Sequence, residues 1–345
     1  MEHILITGGA GFIGSNFIPY YLERNPNSHL VNLDALTYAG NLENLLEIKC
    51  HERYAFVKGN ICNRKLIEKL FEQYNFTGVI HFAAESHVDK SITNPDAFMQ
   101  TNIMGTFNLI DAAKKHWMVS NGMYRERHRN SRFLHISTDE VYGSLSSEGL
   151  FSETTPYAPN SPYSASKASS DFIVRSYHQT YGMNVITTNC SNNYGPKQHD
   201  EKLIPTIIRK ALNGEKIPIY GDGSNIRDWL YVLDHCKGIE LVYKNGISGE
   251  TYNIGGKNER SNLYIASKIC EILDEKHPKK KGSYKQQITF VKDRAGHDLR
   301  YAIDASKIEH DLGWKAHENF DTGIQKTIIW YMNRYISSKS TYQVK

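Results

Sequence analysis

The N-terminal segment of the chain reads Ile4-Leu5-Ile6-Thr7-Gly8-Gly9-Ala10-Gly11-Phe12-Ile13-Gly14. A short apolar run of the strand type leads into a turn with glycine at positions 8, 11 and 14, and a helical pattern follows to Leu22. Glycine permits a tight turn and lets the backbone approach a pyrophosphate, to which the following helix N-terminus offers amide donors. The segment therefore predicts the first strand, turn and helix of a dinucleotide-binding fold.

Asp34 supports this prediction and indicates which dinucleotide is bound. It lies about 20 residues beyond the turn, at the end of a second apolar run at 30–33. A carboxylate there can accept hydrogen bonds from the adenosine ribose and would repel a 2′-phosphate, so we expect NAD rather than NADP. The other residues expected to bind the cofactor are Gly8, Gly11, Phe12, Ile13, Gly14, Thr37, Asn60, Ile61, Ala83, Ala84, Thr101, Ser137, Tyr163 and Lys167.

Strand and helix patterns alternate through the first part of the chain. The expected strands cover 4–7, 30–33, 54–57, 78–82, 133–137 and 185–188, and the expected helices cover 63–74, 96–115 and 164–181. This alternation predicts an α/β fold with a Rossmann-type doubly wound parallel sheet. The polar segment 117–130 interrupts the rhythm, and we interpret it as a surface insertion.

We expect two domains. Residues 1–190 with about 229–256 would form the NAD-binding Rossmann domain, with the chain returning to the sheet after residue 190. Residues from about 191 to 228 and from 257 to 345 would form a smaller α/β C-terminal substrate lobe, with helix candidates at 263–273 and 322–335.

The bulk composition is that of a soluble globular protein. The chain has 345 residues, of which 40% are hydrophobic and 23% charged, and its formal net charge is +4. Its five cysteines form no C-x-x-C pair, and its histidines form no metal-ligand pattern. No apolar run approaches the roughly 20 residues of a membrane helix, and no leader pattern precedes the first strand. We therefore expect a reduced, cytoplasmic protein with no metal, nucleic-acid partner or membrane partner.

Catalytic chemistry is indicated by two short segments. Thr138-Asp139-Glu140 follow the fifth strand, and Tyr163 and Lys167 are spaced four residues apart on one face of a helix. A neighbouring ammonium and the positive charge of a nicotinamide would lower the pKa of Tyr163 from about 10 towards neutral. The phenolate could then accept an alcohol proton while a hydride passes to NAD.

The chain resembles an extended short-chain dehydrogenase/reductase and, more narrowly, the nucleotide-sugar 4,6-dehydratases. The resemblance extends over nearly the whole sequence. The segments that carry it are 7–14, 34–42, 83–89, 137–143, 190–196, 201–205, 220–223, 226–230 and 293–298.

The resemblance implies a specific reaction and a role for each catalytic candidate. Tyr163 takes the proton of the hexose 4-hydroxyl, which Thr138 also binds, while a hydride passes from C4 to NAD. Glu140 removes the C5 proton, and a protonated Asp139 delivers a proton to the departing 6-hydroxyl. The hydride then returns to C6, so the net reaction is loss of water and NAD is recycled.

The resemblance also implies a site for a nucleotide-diphosphate sugar. Arg227 and Arg294 would bind its diphosphate, and Thr138 would touch the hexose. The remaining residues implied to contact the substrate are Glu85, Ser86, Asn192, Lys202, Leu203, Pro218, Tyr220, Asn262 and His297. The chain departs from the family pattern at Asn60, where aspartate is common, and at Lys197, where an aromatic residue is common. We expect the loop around Lys197 to face the substrate.

Several alternatives remain open at this point. The resemblance favours a dTDP-hexose substrate, with a UDP- or CDP-sugar such as UDP-GlcNAc or UDP-glucose as the alternative. A nucleotide-sugar 4-epimerase would need the tyrosine and lysine but not the acidic pair Asp139-Glu140. A non-catalytic NAD-binding protein would need none of these side chains. The family pattern implies a homodimer formed through the helices at 96–115 and 164–181.

Overall fold

The computed structural model describes residues 2–293 and 297–342. Within them the strands are β1 Glu2–Thr7, β2 Ser28–Asp34, β3 Tyr54–Lys58, β4 Gly78–His81, β5 Met118–Ser120, β6 Met123–Tyr124, β7 Arg132–Thr138, β8 Val185–Cys190, β9 Asn192–Tyr194, β10 Ile217–Tyr220, β11 Ile226–Tyr231, β12 Thr251–Ile254, β13 Glu259–Ser261, β14 Ile288–Val291 and β15 Arg300–Tyr301. The α-helices are α1 Phe12–Arg24, α2 Arg64–Tyr74, α3 Val88–Thr93, α4 Pro95–Phe98, α5 Thr106–Trp117, α6 Pro162–Tyr181, α7 Leu203–Leu212, α8 Val232–Asn245, α9 Asn262–Lys276, α10 Ser306–Leu312 and α11 Phe320–Tyr342.

A seven-stranded sheet with the order β12-β8-β7-β4-β1-β2-β3 forms the centre of the molecule. All neighbouring strands in it are parallel. It contains each of the six strands predicted from the sequence and adds β12 at one edge. The predicted Rossmann-type doubly wound sheet is therefore confirmed.

Both faces of this sheet are covered by helices, as its continuous apolar strands require. Ile4 and Ile6 of β1 point into a core that includes Phe17 of α1 and Ile239 of α8. Leu5, between them, points to the opposite face and a second core built with α2 and α5. The strand order reverses at β1, which lies between β4 and β2. In such sheets the ligand crevice lies outside the carboxyl ends of the strands at this point.

The expected helix at 96–115 is not a continuous α-helix. After α4, the segment Met99–Gly105 forms a π-helix, and α5 begins at Thr106. The side chain of Asn102 donates to the backbone oxygen of Glu85 at 3.0 Å and accepts from its backbone nitrogen at 2.9 Å. The Thr106 hydroxyl donates to the backbone oxygen of Asn102 at 2.5 Å. The pairing of Asn102 with Glu85 and the local bond from Thr106 hold the wider turn, which no pattern of residue types in the segment predicts.

The insertion after α5 is a short hairpin at the surface, as predicted. Strands β5 and β6 pair antiparallel around Gly122, whose φ is +71°. Val119 and Met123 each expose 59% of their surface. Trp117 differs from the prediction because it ends α5 and is fully buried, with its indole nitrogen donating to the backbone oxygen of Phe76 at 2.7 Å.

A separate apolar core lies under the C-terminal part of the chain. Helices α7, α9 and α11 pack around it together with β10. Strand β11 pairs with β9, β13 and β15 rather than with the central sheet. The chain then returns through α8, which packs on α1, and β12 joins the central sheet beside β8. The division into two domains at the expected residue numbers stays a prediction.

Candidate functional site

A cavity lies at the carboxyl ends of β1, β4 and β7, and it collects the residues predicted for the cofactor. It is lined by Gly8, Gly11, Phe12, Ile13, Gly14, Asp34, Thr37, Asn60, Ile61, Ala83, Ala84, Thr101, Ser137, Tyr163 and Lys167. The three remaining catalytic candidates, Thr138, Asp139 and Glu140, line the same cavity. One concave site thus brings together side chains that lie up to 159 residues apart in sequence, from Gly8 to Lys167.

Close packing explains the glycines in the turn between β1 and α1. Gly8 has a φ of +71°, and a Cβ on it would lie 2.6 Å from the Cα of Ala83. A Cβ on Gly14 would lie 2.6 Å from the Cα of Gly9. Gly11 is the N-cap of α1 and carries no side chain that could occupy the anion position. The turn therefore leaves the helix N-terminus open to a pyrophosphate.

Asp34 connects the second strand to this turn. One carboxylate oxygen accepts from the backbone nitrogen of Ala10 at 2.9 Å, and the other accepts from that of Leu36 at 2.8 Å. Burial raises the pKa of Asp34, and these two backbone donors oppose the rise. A carboxylate offers about four acceptor positions, so two donors still leave room for ribose hydroxyls. The turn, the helix N-terminus and this acid together fit NAD.

The acidic pair follows directly from the end of β7. Strand β7 ends at Thr138, and a 3₁₀ turn covers Asp139–Tyr142. Asp139 is 1% exposed, and its Oδ2 has no hydrogen-bond partner among the described residues. Burial raises the pKa of Asp139 well above its usual range, and the neighbouring charges of Glu140 and Asp228 add to the rise. Burial and the two neighbouring carboxylates therefore favour the protonated form of Asp139.

The N-terminal end of α6 positions Tyr163 and Lys167. Ser161 caps the helix in a reciprocal pair with Ser164, and Pro162 occupies the first turn. Tyr163 and Lys167 then lie one turn apart, 8% and 4% exposed. The Lys167 ammonium donates to the backbone oxygen of Ile136 at 2.8 Å, which fixes the helix against β7.

Without the nicotinamide charge that the expectation included, the pKa of Tyr163 does not fall towards neutral. Burial raises the pKa of Tyr163 well above 10, and the Glu140 carboxylate raises it further, while the Thr138 hydroxyl opposes the rise. Burial also lowers the pKa of Lys167. Desolvation disfavours the charged form of both groups and here outweighs the attraction expected from their spacing.

The residues predicted to bind the substrate fall into two sets. Glu85, Ser86, Thr138, Asn192 and Lys202 line the cavity. The Lys202 ammonium donates to the backbone oxygen of Ser86 at 3.0 Å, so it joins the two sides of the cavity mouth.

The residues of the second set do not line the cavity. The set comprises Leu203 at the start of α7, Pro218 and Tyr220 on β10, Arg227 on β11, Asn262 at the start of α9, and His297. The rings of Tyr220 and His297 meet edge to face with 6.4 Å between centroids. Their role in binding the substrate stays a prediction, and Arg294 lies outside the described residues.

Arg227 is a buried cation whose charge acts on Asp139. It is 5% exposed, and its guanidinium donates to the backbone oxygens of Ile226 at 2.7 Å and Asp298 at 3.0 Å. It also lies 4.2 Å from the centroid of the Tyr301 ring. Its positive charge opposes the rise in the pKa of Asp139. The two groups therefore interact electrostatically across the edge of the site.

Sequence reasoning missed several residues at the mouth of the cavity. Tyr38, His199 and Glu201 line it. The Lys90 ammonium lies 3.6 Å from the centroid of the Tyr38 ring and 3.3 Å from the Glu201 carboxylate. Tyr38 and Glu201 lie within the segments 34–42 and 201–205 that carried the resemblance, so the resemblance could have identified these two residues.

The loop around Lys197 borders the cavity, but the Lys197 side chain does not line it. Its ammonium donates to the backbone oxygen of Ser15 at 3.2 Å and to the Glu47 carboxylate at 2.8 Å. It therefore packs beside α1, while Gln198 and His199 line the cavity in its place.

Among the described residues, no helix is both long and apolar enough to span a membrane. The same residues contain no group of three or more histidine, cysteine or acidic side chains that could hold a metal ion.

Comparisons with known proteins identify the family. The family model described as GDP-mannose 4,6 dehydratase matches residues 5–327. The chain is 53% identical over 337 residues to a dTDP-glucose 4,6-dehydratase of Neisseria meningitidis serogroup B, covering 96% of this chain and 94% of that protein.

Two solved structures are also similar over nearly their whole length. The dTDP-glucose 4,6-dehydratase of Bacillus anthracis in complex with NAD has a TM-score of 0.85 and 44% identity, covering 97% of this chain and 98% of that one. The enzyme of Streptomyces venezuelae with NAD and dTDP bound has a TM-score of 0.86 and 42% identity, covering 96% and 97%. The chain therefore belongs to the nucleotide-sugar 4,6-dehydratase family, as its sequence motifs predicted.

Proposed function

We propose that the chain is a dTDP-glucose 4,6-dehydratase, an NAD-dependent hydro-lyase that converts dTDP-glucose into dTDP-4-keto-6-deoxyglucose and water. The observation that supports this most directly is the shared cavity, which holds a tyrosine, a lysine and an adjacent acid pair beside the dinucleotide turn. The relatives named as dTDP-glucose 4,6-dehydratases support the choice of nucleotide.

Each of these side chains has a separate role in the reaction. When bound, NAD supplies the hydride acceptor and a positive charge close to the phenol. Tyr163 takes the proton of the 4-hydroxyl, and Thr138 hydrogen-bonds the same oxygen. Glu140 removes the C5 proton, which the 4-ketone has made acidic. Asp139 gives a proton to the departing 6-hydroxyl, because burial favours its protonated form.

The raised pKa of Tyr163 sets a condition on this proposal. Tyr163 can act as a base only where positive charge offsets its burial and the nearby Glu140 carboxylate. The ammonium of Lys167, one helical turn away, is the cation that this chain provides. The adenosine end would be held by Asp34, which favours NAD over a cofactor with a 2′-phosphate.

The test is turnover of dTDP-glucose by the purified protein in deuterated water. We expect a 4-keto-6-deoxy product that has gained deuterium at C5, since proton transfer at C5 passes through Glu140. Turnover of UDP-glucose, UDP-GlcNAc or a CDP-sugar with no reaction of dTDP-glucose would contradict the nucleotide assignment. Inversion at C4 without exchange at C5 would instead identify a 4-epimerase.

We infer further that the protein is a cytoplasmic homodimer. An apolar surface on two neighbouring helical segments supports the dimer: Phe172 of α6 is 57% exposed, and Met104 of the π-helix is 45% exposed. Both segments pack against each other, so one partner surface could cover both side chains. A molar mass of about twice 39.4 kDa by light scattering is expected, and a monomer at micromolar concentration would contradict this inference.

A further inference from the structure

A buried carboxylate lies one helical turn beyond Lys167 and has no role in the reaction described above. Asp171 is on the same helix, α6, and is 4% exposed. It is not among the residues that line the cavity. Burying a charged carboxylate this deeply costs folding free energy unless its charge is compensated.

The partners of Asp171 connect it to the wall of the catalytic cavity. The Ser137 hydroxyl donates to its Oδ2 at 2.8 Å, and the Tyr157 hydroxyl donates to the same oxygen at 3.0 Å. His135 Nε2 lies 3.1 Å from the other oxygen, Oδ1. Ser137 lines the cavity and directly precedes Thr138 in the sequence. Asp171, which does not line the cavity, therefore fixes one hydroxyl of the cavity wall.

Charge also links Asp171 to the catalytic lysine. Burial lowers the pKa of Lys167, and Asp171 is the largest influence that opposes this. Burial raises the pKa of Asp171 to about 6, and Lys167 is the first group that opposes the rise. Burial lowers the pKa of His135 well below its usual range, so this histidine is neutral and cannot replace Lys167 as the counter-charge. Asp171 and Lys167 therefore each favour the charged form of the other at this point in the core.

We propose that Asp171 is a positioning residue that supplies the counter-charge of Lys167 and fixes the Ser137 hydroxyl at the cavity wall. The proposal rests on the proposed function, because it acts through the lysine beside the tyrosine base. Without the carboxylate, Lys167 would lose its proton in the dry interior, and no ammonium would then favour the phenolate of Tyr163.

The test is Asp171→Asn, which preserves the side-chain shape and an acceptor for Ser137 and Tyr157 but removes the charge. We expect kcat at pH 7 to fall about tenfold or more, as the loss of about one pKa unit of interaction implies. The KM should change little, and the acidic limb of the pH–rate profile should move to higher pH. An unchanged acidic limb, or one moved to lower pH, would overturn the proposal.

A second measurement separates this proposal from the proposed function. Titration of the Lys167 side chain by NMR, assigned with Lys167→Met, needs no substrate. We expect Lys167 to lose its proton at lower pH in Asp171→Asn than in the unmodified protein. An unchanged titration would overturn the positioning role, whereas failure of the unmodified protein to act on any nucleotide sugar would overturn only the proposed function.

Two further variants test whether the effect of Asp171→Asn on the pH–rate profile is purely structural. Asp111→Asn removes a partly buried carboxylate that pairs with Arg64 and Lys115, away from the cavity. It should lower Tm without moving the pH–rate profile.

If Asp171→Asn does not fold, Tyr157→Phe removes one donor from the carboxylate of Asp171. This change should raise the pKa of Asp171 and move the acidic limb upward, and an unmoved limb would contradict the proposal.

Discussion

Tyr163→Phe is expected to lower kcat for dTDP-glucose by about 10³-fold, within the range usual for loss of a general base. The phenylalanine ring fills the same buried position against Phe98, whose ring centroid lies 6.3 Å away, so KM and Tm should change little. Without the phenol, no group accepts the proton of the 4-hydroxyl, and oxidation at C4 stops. A single-turnover experiment that follows NADH absorbance should therefore show no transient reduction of the cofactor.

Tyr177→Phe is the matched control for this change. Tyr177 lies on the same helix and is 7% exposed, but its hydroxyl donates to Asp111 at 3.3 Å and does not reach the cavity. We expect it to lower Tm slightly and to leave kcat within about twofold of the unmodified protein. Equal losses of activity in the two variants would argue that Tyr163 supports the fold rather than the chemistry.

The second large effect is expected at the acid pair, where two variants should block different parts of one step. Glu140→Gln and Asp139→Asn should each lower overall turnover by about 10² to 10⁴-fold. Both retain Tyr163 and Thr138, so oxidation at C4 should continue and reduced cofactor should accumulate on the enzyme. Loss of the NADH transient in either variant would show that the side chain is needed for the first hydride transfer.

Isotope exchange separates the two roles. In deuterated water, Glu140→Gln should show no exchange at C5 of the substrate, because its amide cannot accept the proton. Asp139→Asn should retain that exchange while water leaves slowly. The stability of Asp139→Asn should change little, since burial favours the neutral form of Asp139 and its Oδ2 lacks a partner among the described residues. Exchange at the normal rate in Glu140→Gln would contradict its assignment as the base.

The local sequence was enough to predict the central sheet and the cofactor turn. Ile4, Leu5 and Ile6 alternate between two cores, and such a run specifies a strand buried on both faces whatever surrounds it. Gly8 is required by a positive φ and by the approach of Ala83. The limits of prediction appear where contacts are long-range: the π-helix depends on the pairing of Asn102 with Glu85, and Lys197 turns towards Glu47 instead of the substrate.

The catalytic candidates could be proposed from the sequence because three of them come at the end of a predicted strand. Thr138 ends β7 and Asp139 and Glu140 follow it, and the carboxyl end of a parallel strand is where a ligand crevice forms. Their protonation states were not equally predictable. The i, i+4 spacing of Tyr163 and Lys167 indicated a lowered pKa for the tyrosine, whereas burial raises it.

The sequence by itself determined the Rossmann-type sheet, the dinucleotide turn, the family and the identity of the five catalytic candidates. The sheet and the turn follow from periodicity and glycine spacing, whereas the family and the roles of the candidates follow from the resemblance of short motifs to a known family. Only the tertiary structure decided why the protonated form of Asp139 is favoured, that burial raises the pKa of Tyr163 and lowers that of Lys167, and that Asp171 is buried against the Ser137 hydroxyl. The physical reason is that a pKa depends on how much water packing removes and which charges it brings near, and distant segments of the chain supply both.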